Sequence, residues 1–459
     1  MRCVNLRGWA AHEVAVERLR SSYAAIPAGA PVRLAKKTSN LFRPRAAADG
    51  PGLDVSGLDG VIAIDAVART ADVQGMCTYE DLVDATLPHG LVPKVVPQLR
   101  TITLGGAVTG LGIESTSFRS GLPHESVLEM DVFTGGGEVV TCRPGPDGEH
   151  GDLFDAFPNS YGSLGYATRL RIELEQVPAY VALRHLRFDD PGLLAKSIAE
   201  IARSRAHEGT PVDGLDGVAF GPGEYYLTLA TWTDAPGPTS DYTGQQVYYR
   251  SLQQRETDLL TMYDYLWRWD TDWFWCSGAF GLQHPTVRRL WPRRWRRSDV
   301  YHKLIGLDRR IGFADWLDRR QGRPLRERVI QDVEVPVERL PDFLEWFDEA
   351  VGMRPVWLCP CVALRSWPTY PLEPGLLYVN VGFWGTVHVG PEAPQAPRNR
   401  AIEQRVHELG GHKSLYSDAF YDRATFDRLY DGDNLAVVKG RYDPQDRLTS
   451  LYDKAVKRH

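Results

Sequence analysis

Cysteine is scarce in this chain of 459 residues, with six at irregular intervals: Cys3, Cys77, Cys142, Cys276, Cys359 and Cys361. None has metal-ligand spacing; Cys359-Pro360-Cys361 is C-x-C, not C-x-x-C. They read as small buried hydrophobes of a reducing compartment, and no metal is expected. No apolar run is long enough to span a bilayer. Met1 to Leu6 lacks the apolar core of a signal peptide. The expectation is a soluble, cytoplasmic protein, or a peripheral one at the inner face of the cell membrane. Basic excess is missing too: a net charge of −6 argues against a general nucleic-acid binder. There is no G-x-G-x-x-G opening a helix after a strand, and no G-K-[ST] loop. No internal repeat or low-complexity segment is visible. With 43% hydrophobic and 24% charged residues, the composition is that of an ordinary globular protein long enough for two or three domains.

What the chain does have is a glycine-rich run at residues 97–121. Gly105, Gly106, Gly110 and Gly112 fall within eight positions, and Gly121 follows the hydroxyls of Ser115, Thr116, Ser117 and Ser120. Glycine lets backbone approach a ligand closely, and hydroxyls and N–H groups are neutral donors to phosphate oxygens. The run reads as a backbone cradle for a large phosphorylated cofactor; a purely structural turn is the alternative.

The flanking segments alternate in short pieces. Residues 11–24 suit an amphipathic helix through Val14, Val16, Leu19 and Tyr23. A strand at 32–34 is expected to run into the turn Ala35-Lys36-Lys37-Thr38-Ser39-Asn40, which can present N–H groups and charge to a pyrophosphate. Strands are expected at 61–64 and 70–73, a helix at 79–87 and an extended passage from Gly90. A hairpin is expected around Gly135-Gly136-Gly137. Asn159 to Thr168 is a second glycine-hydroxyl element, leading into a strand at 170–174. Further on, a strand-then-helix unit is expected over 185–205, strands at 218–220, 225–229, 329–336, 355–358 and 377–382, and a helix at 340–351.

The order of these signals is specific. An early strand-turn, a Gly-Leu-x-Pro passage, Thr103-Leu104-Gly105-Gly106 with Gly110, Gly112, Ser115 and Gly121, and Gly162-Ser163-Leu164-Gly165 before a strand resemble the FAD-binding (PCMH) domain of vanillyl-alcohol-oxidase-type flavoproteins. The resemblance implies an α+β fold: a two-subdomain FAD-binding domain at 1–178 and a separate α+β substrate cap at 179–430. A C-terminal segment, 431–459, would return to the FAD domain. It implies FAD held by Ala35, Lys36, Lys37, Thr38, Ser39 and Asn40, by Pro97, Gln98, Thr103, Leu104, Gly105, Gly106, Gly110, Gly112, Ile113, Glu114, Ser115, Ser117 and Gly121, and by Gly162, Gly165 and Tyr166. The early turn departs from the family's common R-G-G-G-T-S form and has no His, so the FAD is expected to be non-covalent.

Gly112-Ile113-Glu114-Ser115, Gln331-Asp332, Trp357-Leu358-Cys359-Pro360, Leu415-Tyr416-Ser417-Asp418, Tyr442-Asp443-Pro444 and Tyr452-Asp453-Lys454 resemble the Δ24-sterol reductase branch of that family. The branch reduces isolated carbon–carbon double bonds with FAD and NADPH. The wording Lys36 to Phe42 is closest to actinobacterial reductases that convert a 10-methylene fatty acyl chain to the 10-methyl (tuberculostearic-type) chain beside a methyltransferase. The resemblance therefore implies a lipid acyl substrate, NADPH as co-substrate and a possible methyltransferase partner. A sterol-like or other isoprenoid alkene, an alcohol or sugar oxidase, and a flavin-bearing lipid-binding partner of the methyltransferase are the alternatives.

Reducing a 1,1-disubstituted alkene needs a proton at the CH₂ end and a hydride at the tertiary carbon, so a proton donor must lie close to the substrate. Glu114, Asp332, Tyr416 and Asp418 are the candidates, each with a structural role as the alternative; His388, on an alternating strand, is expected at the surface. No NADPH fingerprint is visible. The stretch 248–297 stands apart as an insert of interleaved aromatics and arginines, notably Trp267-Arg268-Trp269, Trp273-Phe274-Trp275 and Arg288 to Arg297. Trp and Arg suit a lipid interface, so peripheral membrane contact through Trp267 to Arg297 is expected. Stacked packing inside the cap is the alternative; a nucleic-acid patch is not expected.

Overall fold

The computed structural model describes residues 6–36, 50–145, 147–311, 320, 326–390 and 392–457, without the side chains of 305–311. Lys37, Thr38, Ser39 and Asn40, expected at the cofactor, lie outside the described residues. The first half is built on a six-stranded antiparallel sheet: β1 (Val61–Asp65), β2 (Thr70–Gln74), β3 (Leu91–Pro93), β4 (Val127–Phe133), β5 (Val139–Cys142) and β6 (Tyr166–Gln176). The order is β1-β2-β6-β4-β5, and β3 pairs with the end of β6. At the centre, buried Arg169 reaches Asp72 on β2 at 2.7 Å and Asp131 on β4 at 2.6 Å, which ties three strands together. The strand expected at 32–34 is a single bridge, Leu34 to Leu53. The first helix, α1 (Gly8–Ala24), turns His12, Ala15 and Leu19 inward, while Val14 is 61% exposed.

The glycine run differs from expectation. It is not all cradle: Leu104–Gly110 is a helix, with the Thr103 hydroxyl capping the Gly106 N–H at 3.2 Å. The glycine at 105 serves packing, because a Cβ there would sit 2.6 Å from the Gly75 carbonyl oxygen.

The second half carries an eight-stranded antiparallel sheet: β7 (Tyr180–Phe188), β8 (Gly214–Gly221), β9 (Glu224–Thr233), β10 (Thr257–Thr261), β11 (Arg326–Pro336), β12 (Val356–Cys361), β13 (Tyr378–His388) and β14 (His412–Lys413). Its order is β10-β7-β9-β8-β12-β13-β11-β14. The edge strand β10 falls inside the expected insert, so residues 257–261 belong to the cap sheet itself. The two-residue alternation of strands then decides what faces what. Val329, Val333 and Val335, with Val356, Leu358, Val379, Val381 and Phe383, pack against helices Pro191–Ser204, Leu340–Ala350 and Pro397–Glu408. Their alternates, Asp332, Trp357 and Trp384 among them, turn to the other face, toward the first half. His388, at the end of β13, is exposed as expected.

The halves are joined through Arg268, which is fully buried. One guanidinium nitrogen reaches Glu114 at 3.3 Å and Asp216 on β8 at 3.0 Å, and the guanidinium lies 3.9 Å from the centre of the Tyr265 ring. The indoles of Trp269 and Trp357 donate to the same Asp216 oxygen. The Trp267-Arg268-Trp269 triplet is thus interior packing, against the expectation of membrane contact, because its cation has two buried carboxylates to satisfy. Among the described residues no helix is long and apolar enough to cross a membrane. Replacing Arg268 with Met strands two carboxylates in the interior and is expected to cost about 3–5 kcal/mol in urea unfolding. Adding Glu114→Gln and Asp216→Asn to that variant should recover part of the loss.

Candidate functional site

A cavity of about 550 Å³ lies between the two halves. One wall comes from the first half and the C-terminal segment: Pro97, Gln98, Thr103, Gly105, Gly106, Gly110, Gly112, Ile113, Gly162, Tyr166, Lys36 and Lys454. The other comes from the cap: Trp273, Phe274, Asp332, Trp357, Trp384 and Tyr416. Thirteen residues singled out from sequence therefore meet here, two of them, Asp332 and Tyr416, from the cap.

The glycines lining the cavity leave no room for side chains. A Cβ at Gly112 would fall 2.8 Å from the Pro97 ring, and one at Gly162, where φ is +75°, would fall 2.9 Å from the Tyr166 ring. The Tyr161 hydroxyl donates to the Gly110 carbonyl at 2.5 Å, and the Lys454 ammonium to the Tyr161 carbonyl at 3.1 Å. The second glycine-hydroxyl element is so fastened to the end of the helix Leu104–Gly110. The Lys36 ammonium reaches the Met76 sulfur at 3.2 Å. Backbone-lined concavity, aromatic rings and the cations Lys36 and Lys454 fit a long cofactor carrying a planar ring system and a pyrophosphate.

Other expected cofactor residues are placed elsewhere. Ala35 is exposed and bonds its N–H to Leu53. Leu104 is in the core. The Ser115 hydroxyl is spent on Glu114 and Tyr265, both at 2.6 Å, and Ser117 accepts from the Glu114 N–H. Gly121, at φ +71°, turns the chain against Glu125, and Gly165 lets β6 pass close to the Phe133 carbonyl. These hydroxyls and glycines serve the protein's own interior contacts rather than the cavity. Glu114 does not line the cavity either: burial pushes its carboxyl up while Arg268 pulls it down. Asp418 is also outside the lining and acts electrostatically on buried Lys413.

Asp332 and Tyr416 are the two proton-donor candidates that reach the cavity. Burial pushes the Asp332 carboxyl up to about 7, against hydrogen bonds from Asn380 and Tyr416 and the field of Lys413. The Asn380 amide donates to it at 3.4 Å. The Trp384 indole donates to the Tyr416 hydroxyl at 2.9 Å. Gly382 is required beside them, since a side chain there would collide with the Asp332 carboxyl.

The aromatic wall was missed in the sequence. Trp273 and Phe274 both take left-handed backbone, at φ +44° and +60°, which bulky residues seldom adopt. That conformation brings both residues to the cavity, and Phe274 packs 4.3 Å from Trp384 and 5.3 Å from Trp357 between ring centres. Trp384 could have been found by continuing the alternation of β13 two residues past Gly382.

Residues 17–143 match the family described as FAD binding domain. The chain is an FAD-dependent oxidoreductase. It is similar to the Delta(24)-sterol reductase of Homo sapiens, 25% identical over 429 residues, covering 86% of this chain and 76% of that protein. The Arabidopsis thaliana Delta(24)-sterol reductase is 25% identical over 454 residues, covering 88% and 76%. Cytokinin dehydrogenase 7 of Oryza sativa subsp. japonica is 33% identical over 180 residues, 39% of this chain and 32% of that protein. Similarity to the sterol reductases thus takes in cap as well as FAD domain, whereas 180 residues cannot cover both in full. Because no His occurs in the early turn, acid precipitation of the purified protein should leave all yellow colour in the supernatant. Gly162→Val should lower bound flavin at least tenfold in absorbance titration, and flavin retained in the acid pellet would refute non-covalent binding.

Proposed function

We propose that this oxidoreductase reduces an isolated carbon–carbon double bond of a lipid, the 10-methylene group of a fatty acyl chain on a phospholipid, with NADPH as the electron source. The observation that carries the reading is a carboxyl poised near neutrality in a wall dominated by aromatic side chains, Trp273, Phe274, Trp357, Trp384 and Tyr416. Such a wall suits an apolar substrate, and an alkene without activating groups needs a strong proton donor close by.

FAD, when bound, supplies hydride. Gln98, Gly105, Gly106, Gly110, Gly112, Gly162, Tyr166, Lys36 and Lys454 would hold it. Asp332 keeps a proton at its carboxyl and delivers it to the CH₂ carbon, so that the tertiary carbon becomes the hydride acceptor. Tyr416, held by Trp384, orients that carboxyl. Trp273, Phe274, Trp357 and Trp384 exclude water, which would otherwise compete for the developing cation.

The similarity to Delta(24)-sterol reductases over 86% of the chain supports a carbon–carbon double bond as target and favours one second reading, a sterol or isoprenoid alkene. A methyltransferase that installs the methylene carbon would be the natural partner.

Anaerobic NADPH should bleach the flavin, and a 10-methylene phospholipid should restore its colour. Recovery with a Δ24-sterol alone would move the assignment to the second reading; bleaching by an alcohol and not by NADPH would sink both. Because Asp332 is neutral below about pH 7, alkene reduction should fall as pH rises through that value. Asp332→Asn should slow the alkene step at least a hundredfold while NADPH bleaching persists, as read by stopped-flow absorbance.

A further inference from the structure

The arginines of the insert divide into two sets. Arg288 and Arg296 are buried. Arg288 grips Asp272 with two nitrogens, at 2.7 and 3.0 Å, and the Gln245 carbonyl at 2.6 Å. Arg296 donates to the carbonyls of Gly244 and Trp291, both at 2.7 Å. These bonds fix the turn of helix Pro285–Leu290 and the residues after it as a rigid platform. Arg289, Arg293 and Arg294 point to solvent from that platform. Arg293 meets Asp241 at 2.8 Å. Among the described residues no ion pair reaches Arg289 or Arg294.

The same platform exposes large apolar side chains: Val287 at 41%, Leu290 at 80% and Trp295 at 43%. A single exposed leucine needs no explanation, but an apolar group this dense, rimmed by arginine, marks an interaction surface. The Arg294 guanidinium sits 5.6 Å from the centre of the Trp295 ring.

We propose that the face formed by residues 287–295 docks on an anionic lipid bilayer. Leu290 and Val287 enter the acyl boundary, Trp295 lies at headgroup depth, and Arg289 and Arg294 pair with lipid phosphates. A nucleic acid would use the arginines but gain nothing from Leu290 and Val287. The chain as a whole is acidic, at −6, so attraction to an anionic surface must be local and orients the molecule with this face down. Arg288 links the platform to Asp272, the residue before Trp273 and Phe274 in the cavity wall. The platform is thereby tied to the backbone of that wall, which a lipid chain drawn from the bilayer would have to reach. This last step rests on the lipid substrate proposed above; docking itself does not.

The test uses the full-length, FAD-loaded protein and vesicles of phosphatidylcholine with or without phosphatidylglycerol. Co-sedimentation should require phosphatidylglycerol and weaken with salt. The pair Leu290→Ser with Trp295→Ser, and separately Arg289→Gln with Arg294→Gln, should each weaken it about tenfold. Flavin content and NADPH bleaching should stay unchanged, which separates failed docking from failed chemistry. Absence of vesicle binding by the native protein, or binding unaltered in both variant pairs, overturns the proposal. Loss with the arginine pair alone, together with competition by a short DNA duplex, would make the face a polyanion site and overturn it equally.

Discussion

One buried cation holds the two halves of this molecule in register. Arg268 belongs to the cap, Asp216 lies on the cap sheet, and Glu114 follows the glycine run of the FAD domain. Bringing three charges out of water costs several kcal/mol per ion, which their attraction offsets only when every remaining donor and acceptor is used. Here most are: the Tyr265 carbonyl accepts from Arg268, two indoles donate to Asp216, and Ser115 donates to Glu114. Backbone bonds run alongside, from Leu215 N–H to the Ser115 carbonyl at 2.8 Å and from Val362 N–H to the Ser117 carbonyl at 3.2 Å. A second clasp lies nearby, where the Glu125 carboxylate accepts from Leu364 N–H and the Trp367 indole. The cavity between the halves exists because these contacts fix its walls at a set distance.

That arrangement explains what the sequence could and could not disclose. The cap strands were legible because Val329-Ile330-Gln331-Asp332-Val333 and Leu377 to Gly382 are rich in β-branched and apolar residues with a two-residue period. The hairpin around Gly135 to Gly137 was legible from turn chemistry. The roles of Ser115, Ser117, Gly121 and Gly165 were not. A hydroxyl beside a glycine looks the same whether it serves a phosphate or another group of the protein; only the partner decides, and Tyr265 lies 150 residues from Ser115. The helix Leu104–Gly110 was hidden for a related reason. Three glycines in seven residues give it poor intrinsic propensity, and tertiary packing on Gly75 overrides that.

The insert posed the same difficulty in its charges. Arg288 and Arg289 are adjacent and chemically identical, yet one is buried against Asp272 and the other is in solvent. Composition told that Trp and Arg cluster; it did not tell which of them face inward. Trp267, Trp269 and Trp273 became core, and the exposed Trp and Arg of residues 267–297 shrank to Arg289, Arg293, Arg294 and Trp295.

The placement of the acid follows from strand register rather than from any motif. Asp332 sits on β11 between Gln331, which bonds to Asn399 on the helix side, and Val333, which packs there too. A slip of one residue would bury the carboxylate under the helices and turn valine to the cavity. Next along the same face come Glu334, pushed up to about 8 by burial, and Asn380 on the paired strand. Lys413 on β14 adds a cation that burial pulls down from its ordinary range. Carboxyls so close in an interior with one weakened cation cannot all be charged, so protons are retained among them near neutral pH. Of this strip only Asp332 lines the cavity; Glu334 is answered in the interior by the Tyr370 hydroxyl. The alternation that hides the valines from solvent is therefore the same feature that delivers a protonated acid to the aromatic wall.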